Sequence, residues 1–93
     1  MPSADNISLM EGKKAVGKVT HYFDRVGVAV VELSDHLRIG ERILIEGGTT
    51  RIEQVVDSMQ IEHDPITEAK PGDAIGLKVL ERVREGDSIY RMA

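Results

Sequence analysis

The chain never sustains an apolar stretch beyond strand length before a glycine, a proline or an acidic turn interrupts it. That punctuation constrains the fold more than any other feature, because short runs between turn signals build sandwiches and barrels rather than helical bundles. The first run, Val16 to Phe23, stops at Asp24-Arg25-Val26-Gly27, where the glycine can take the positive φ of a hairpin turn. The second, Val28-Ala29-Val30-Val31-Glu32-Leu33, is almost continuously apolar and reads as a strand covered over most of its length. A polar connection from Ser34 to Glu41 is pinned by Leu37 and Ile39. Arg42 to Glu46 forms a third run, which halts at Gly47-Gly48, and a fourth extends from Thr50 towards His63. Pro65 and Pro71-Gly72 punctuate the segment that follows. Asp73 to Val79 then places Ile75, Leu77 and Val79 on one face and Gly76 and Lys78 on the other. A glycine in mid-strand, such as Gly76, calls for a close neighbour. Glu85-Gly86-Asp87 finally turns the chain into Ser88 to Met92.

The fourth run carries an internal conflict. Val55, Met59 and Ile61 share one parity, while Ile52 and Val56 share the other. A bulge or bend near Gln54 reconciles the two as strand. A helix through Ile52, Val55, Val56 and Met59 fits the spacing as well, but Gly47-Gly48 offers no N-cap and β-branched residues dominate. Strand is the expected state.

Six or seven such strands predict an all-β fold, a small closed six- or seven-stranded β-barrel, since closure removes the exposed edges of many short strands. Residues 13–93 form this single domain, and residues 1–12 are expected as a flexible tail or an edge strand carrying Ile7, Leu9 and Met10. With 93 residues there is room for one core and no second domain. The absence of cysteine excludes disulfides and thiolate metal sites. Met1 to Asn6 has neither the basic start nor the apolar stretch of a signal peptide. No stretch approaches the roughly 20 apolar residues of a membrane span, so a cytoplasmic protein without a membrane partner is expected. A net charge of −4, with the basic residues scattered, supplies no phosphate-neutralising signature.

Several fragments occur in a suggestive order: Leu37-x-Ile39-Gly40-Glu41-x-Ile43, Ser58-Met59, Ala69-x-Pro71-Gly72-Asp73-x-Ile75-Gly76-Leu77 and Val83-Arg84-x-Gly86-Asp87. The series resembles the barrel that follows the GTPase domain in translational GTPases such as elongation factor Tu, over roughly Val16 to Met92. The resemblance implies a stand-alone translation-factor-like barrel whose partners are RNA, the ribosome or a translation-related protein. The only stretch comparable to the family's phosphate loop is Gly12-Lys13-Lys14, which lacks the spaced glycine and the Ser or Thr that would hold magnesium. Nucleotide binding by this chain alone is therefore not expected. By the same resemblance, Gln60, Glu62 and His63 would form a partner surface facing Asp73 and Ala74. Members that carry tRNA tend to have an acid where Gln60 stands and an Asn where Ala74 stands, which puts acceptor-end binding in doubt. The chain also resembles a C-terminal module of bacterial collagenase-like peptidases, through Val16-Gly17-Lys18-Val19 and Leu37-x-Ile39-Gly40. Independently of any family, Gly40, Gly72 and Gly86 each precede an acid and then a strand, as turn chemistry requires.

Candidate chemistry is sparse. His21, His36 and His63 lack the helical spacing that would make two of them metal ligands. Ser58, His63 and Asp64 have no glycine-flanked nucleophile turn around the serine, and Glu62, Glu68 and Asp73 read as solvated strand-end acids. The expectation is a binding module that is not an enzyme and carries no cofactor or metal. The alternative is a protein–protein interaction subunit unrelated to translation; a small hydrolase using His63 ranks last.

Overall fold

The computed structural model describes residues 13–92, so the expectations for residues 1–12 lie outside the described residues. Within them the chain forms ten strands and no helix: β1 (Lys13–Phe23), β2 (Val28–Leu33), β3 (Leu37–Arg38), β4 (Arg42–Glu46), β5 (Arg51–Val55), β6 (Met59–Ile61), β7 (Asp64–Ile66), β8 (Glu68–Ala69), β9 (Ala74–Lys78) and β10 (Ser88–Met92). Eight of them make one sheet in the order β5-β4-β10-β1-β2-β9-β6-β7, and β3 pairs with β8. Every pairing is antiparallel.

The all-β expectation stands, but closure by hydrogen-bonded ladders does not. No ladder among the described residues joins β5 to β7, the two ends of the large sheet. The reason is local. β3 and β8 are two residues long, and β7 has three residues, one of them Pro65, which has no N–H to offer. Isolated bonds bridge the region instead: Val56 donates to Glu41 at 2.8 Å, Gly40 to Val56 at 2.8 Å and Ile39 to Thr67 at 3.0 Å.

Curvature comes largely from β1. Its register slips against β10 between Ala15 and Gly17, and against β2 between Val19 and His21. Each irregularity bends the strand and raises its twist, so that Val16 and Val19, of opposite parity, both reach the core. They meet Val31, Leu37, Ile43, Ile45, Ile75, Leu77 and Ile89 in one apolar cluster.

The fourth run bends later than its sequence suggests. β5 pairs with β4 without any register shift, so no bulge lies at Gln54. Ile52, Gln54 and Val56 all point inward, and parity changes across Asp57-Ser58, after which Met59 is buried. Gln54 fits inside because its Nε2 donates to the Lys78 carbonyl at 2.9 Å and its Oε1 accepts from the Leu80 N–H at 3.0 Å. The side chain does there what a neighbouring strand would otherwise do.

Three turns repeat one design. Gly40, Gly72 and Gly86 have φ of 93°, 91° and 92°, as the third position of a type II turn demands. The acid that follows each glycine accepts from the backbone N–H three residues earlier: Glu41 from Arg38 at 2.7 Å, Asp73 from Lys70 at 3.0 Å and Asp87 from Arg84 at 2.8 Å.

Candidate functional site: an apolar hollow on the outer sheet face

In β2, Ala29, Val31 and Leu33 face the core, which sends Val28 and Val30 to the other side, where they are half-buried. On that outer face Val30 pairs with Gly76 of β9, and Gly76 pairs in turn with Gln60 of β6. A Cβ at Gly76 would meet Cγ of Gln60 at 3.0 Å and Cγ1 of Val28 at 3.3 Å. The missing side chain therefore forms the floor of a concavity. Its volume is about 640 Å³, within the range of small-ligand sites. Phe23 and Val26, from the β1–β2 hairpin, form one wall and are 49% and 64% exposed. The Phe23 ring is held edge-on to His21, with ring centroids 4.4 Å apart.

The opposite rim is the β6–β7 hairpin. Ile61 pairs with Asp64, leaving Glu62 and His63 as a two-residue loop with φ of 50° and 71°. Two successive positive φ values define the type I′ turn, which favours Asn-Gly. Glu and His hold it here, and both line the hollow.

Of the residues the sequence singled out, Gln60, Glu62, His63 and Ala74 thus converge on one concavity. Asp73 does not join them: its carboxylate is engaged by the Lys70 turn, and it borders a separate depression with His36 and Glu68. Phe23, Val26, Val28, Val30 and Ile75 complete the lining and were not singled out. For Val28 and Val30 the signal was the nearly continuous apolar run of β2, since a strand apolar on both faces has something to cover on each.

The other candidates separate. His21 Nδ1 lies 3.4 Å from Glu85, remote in the chain from His63 on its turn. Ser58 precedes β6 and His63 follows it, so the strand itself parts them. Among the described residues no three His, Asp or Glu side chains gather as metal ligands. A second polar cluster surrounds Asp35. Lys14 lies 2.8 Å from its carboxylate, the His36 N–H donates to it at 2.7 Å, and Arg91 lies at 3.2 Å. The Lys14 hydrogen bond, then that of His36, hold its pKa down at about 2; desolvation opposes them, and the charges of Lys14 and Arg91 each add a lesser lowering.

Fold and hollow together define a small all-β module with an apolar outer face. No protein-family profile matches the chain. It is 46% identical over 79 residues to an uncharacterized protease of Methanocaldococcus jannaschii and 42% identical over 81 residues to a collagenase of Porphyromonas gingivalis. These alignments take in 84% and 85% of this chain but only 19% and 22% of the relatives, so it spans about a fifth of their length. In structure it is similar to the C-terminal domain of a putative U32 peptidase of Geobacillus thermoleovorans, with a TM-score of 0.80 at 20% identity over 86% of this chain and 93% of that one. A selenomethionine variant of the same domain gives 0.78 at 22% identity, over 82% and 96% of the two chains.

These likenesses overturn the identification with translational GTPases and the translation-factor-like function drawn from it. The fragments that carried it are largely the three glycine–acid turns, whose residues are set by type II geometry and so arise wherever such turns lead into strands. The expectation of a chain that is not an enzyme meets relatives named as a protease and a collagenase, of which this chain spans about a fifth. The second resemblance, to collagenase-like peptidases, agrees with them, and none of the comparisons favours a free-standing interaction subunit.

Proposed function

We propose that this chain is a peptidase module, equivalent to the C-terminal domain of U32 peptidases, that holds unfolded polypeptide substrate while bond cleavage takes place on other protein. The observation that carries the reading is the 46% identity to a segment making up 19% of a protease. A fifth of an enzyme that is all strand, with an apolar hollow and scattered histidines, suits holding better than cutting. In the same reading the curled sheet works as a barrel whose seam is tied by Gln54 and isolated backbone bonds. That tie would keep the outer face stiff enough to bind without rearrangement.

An apolar substrate side chain would enter between Phe23 and Val30 and rest on Gly76. Burying one such side chain stabilises by about 1.5–3 kcal/mol, so affinity for an isolated segment would be modest. Heat-denatured collagen is the probe suggested by the relatives' names. Immobilised gelatin is expected to retain the wild-type protein. The double variant Phe23→Ser, Val26→Ser should bind at least about 10-fold more weakly while its Tm stays within about 4 °C of wild type, both residues being substantially exposed. Equal retention of both proteins, or of neither, would overturn the reading.

A further inference from the structure

The hollow is apolar, yet its rim is charged on one side only. Its lining holds one carboxylate, Glu62, and neither lysine nor arginine. Glu62 has no ion-pair partner among the described residues, as is true of Glu32, Glu53 and Glu81, but of these four it alone lines the hollow. Glu62 and His63 also hold a backbone conformation that favours Asn and Gly. Non-glycine residues kept at positive φ cluster where side chains do work. The strained pair and the unpartnered carboxylate coincide at the lip of the concavity.

Given the substrate-holding function above, on which this inference rests, we propose that Glu62 selects the sequence held: a polypeptide with a basic residue two positions from the apolar one. The spacing follows from the repeat of an extended ligand. Gln60 is paired with Gly76 at the floor, and Glu62, in the turn just beyond β6, stands on the lip of the same hollow. Side chains on one face of an extended ligand repeat every two residues, at roughly 6.6 Å. With an apolar side chain over Gly76, the next side chain on that face reaches towards the lip that Glu62 occupies. Lysine or arginine is attracted there and an acid is repelled. A phosphate-bearing ligand such as RNA would meet the same repulsion.

Three fluorescein-labelled peptides test this, alike except for a central Leu-Gly-Lys, Leu-Gly-Gln or Leu-Gly-Glu. Wild-type protein is expected to bind them in that order, with steps of about 2- to 5-fold, the scale of an exposed ion pair, and the steps should shrink in high salt. Glu62→Lys should reverse the order, and Glu62→Gln should level it. The double variant Glu62→Asn, His63→Gly should retain the Leu-Gly-Gln peptide, lose the preference for lysine, and melt at least about 4 °C higher as the turn strain is relieved. If wild-type protein binds all three equally, or if Glu62→Lys keeps the wild-type order, the selectivity is overturned while substrate holding stands. An unchanged or lowered Tm in the double variant would refute the assignment of turn strain. If no peptide binds and gelatin is not retained, both readings fall together. If only RNA displaces a bound peptide, the basic preference is wrong.

Discussion

Two reverse turns within a dozen residues of each other solve the same geometric problem in opposite ways. Lys70-Pro71-Gly72-Asp73 places proline and glycine where a type II turn wants them and closes the loop with an aspartate hydrogen bond. Glu62-His63 puts two bulky polar residues where a type I′ turn wants Asn-Gly. The first turn is shaped for stability, and it lies away from the hollow. The second gives up stability, and it lines the hollow. The same division runs through the molecule: along the seam and around Asp35 polar groups are paired, while on the outer face between Phe23 and Glu62 apolar and charged groups are left open.

The paired half can be broken most severely at Gln54. Its amide serves two backbone groups, the Lys78 carbonyl and the Leu80 N–H, across a gap that no ladder among the described residues spans. Gln54→Ala strands both groups and leaves a void, at a cost of about 3 kcal/mol. Chemical denaturation should show that loss, and hydrogen exchange should show the Leu80 amide losing its protection. A cost below about 0.5 kcal/mol would mean that the seam is held by its backbone bonds alone.

A smaller effect sharpens the contrast between the two turns. A methyl group at Gly72 would meet nothing within 4 Å, so Gly72→Ala tests conformation without crowding. At φ of 91° the alanine should cost about 1–2 kcal/mol, whereas glycine placed at His63 should stabilise. Opposite signs in the two melting experiments support the division. Equal signs would show that the φ values at Glu62 and His63 carry no strain.

The same contrast explains what could be read from the sequence. Gly72 and Gly86 announced their turns because a glycine followed by an acid has a local chemical meaning, and the alternating Ile75 and Leu77 announced a strand. The Glu62-His63 turn was silent, since neither residue belongs to the turn vocabulary and only tertiary packing imposes it. Gln54 was misplaced for a related reason: a buried glutamine is intelligible only once the backbone groups of Lys78 and Leu80 are seen beside it. The hollow was half legible. Gln60, Glu62, His63 and Ala74 were grouped through a resemblance to translation factors that itself proved wrong, which was possible because small β-folds share rims more widely than ligands. Phe23 and Val26 were missed because a hairpin tip looks like solvent-facing turn until its neighbours are folded against it.

The smallest expected effect lies in the paired half, at Asp35. Its carboxyl pKa sits at about 2, below the ordinary value of 3.8, chiefly through the hydrogen bond from Lys14. A folded-state pKa below the unfolded one means that the unfolded chain binds the proton more readily. The stabilisation is therefore fully present above about pH 5, and it drains away as pH falls through 3.8 and past 2. Asp35→Asn keeps the shape and discards the charge. The gap in Tm between wild type and Asp35→Asn should be constant from pH 5 to 7 and then narrow, closing only below pH 2. Added salt should narrow it at neutral pH as well, since the Lys14 side chain is 65% exposed and its attraction is open to screening. A gap that persists undiminished down to pH 2 would place the contribution of Asp35 in its hydrogen-bonding shape rather than its charge. The cluster would then stand with the Asp73 turn, as geometry fixed by directed hydrogen bonds, and not as a tie between charges.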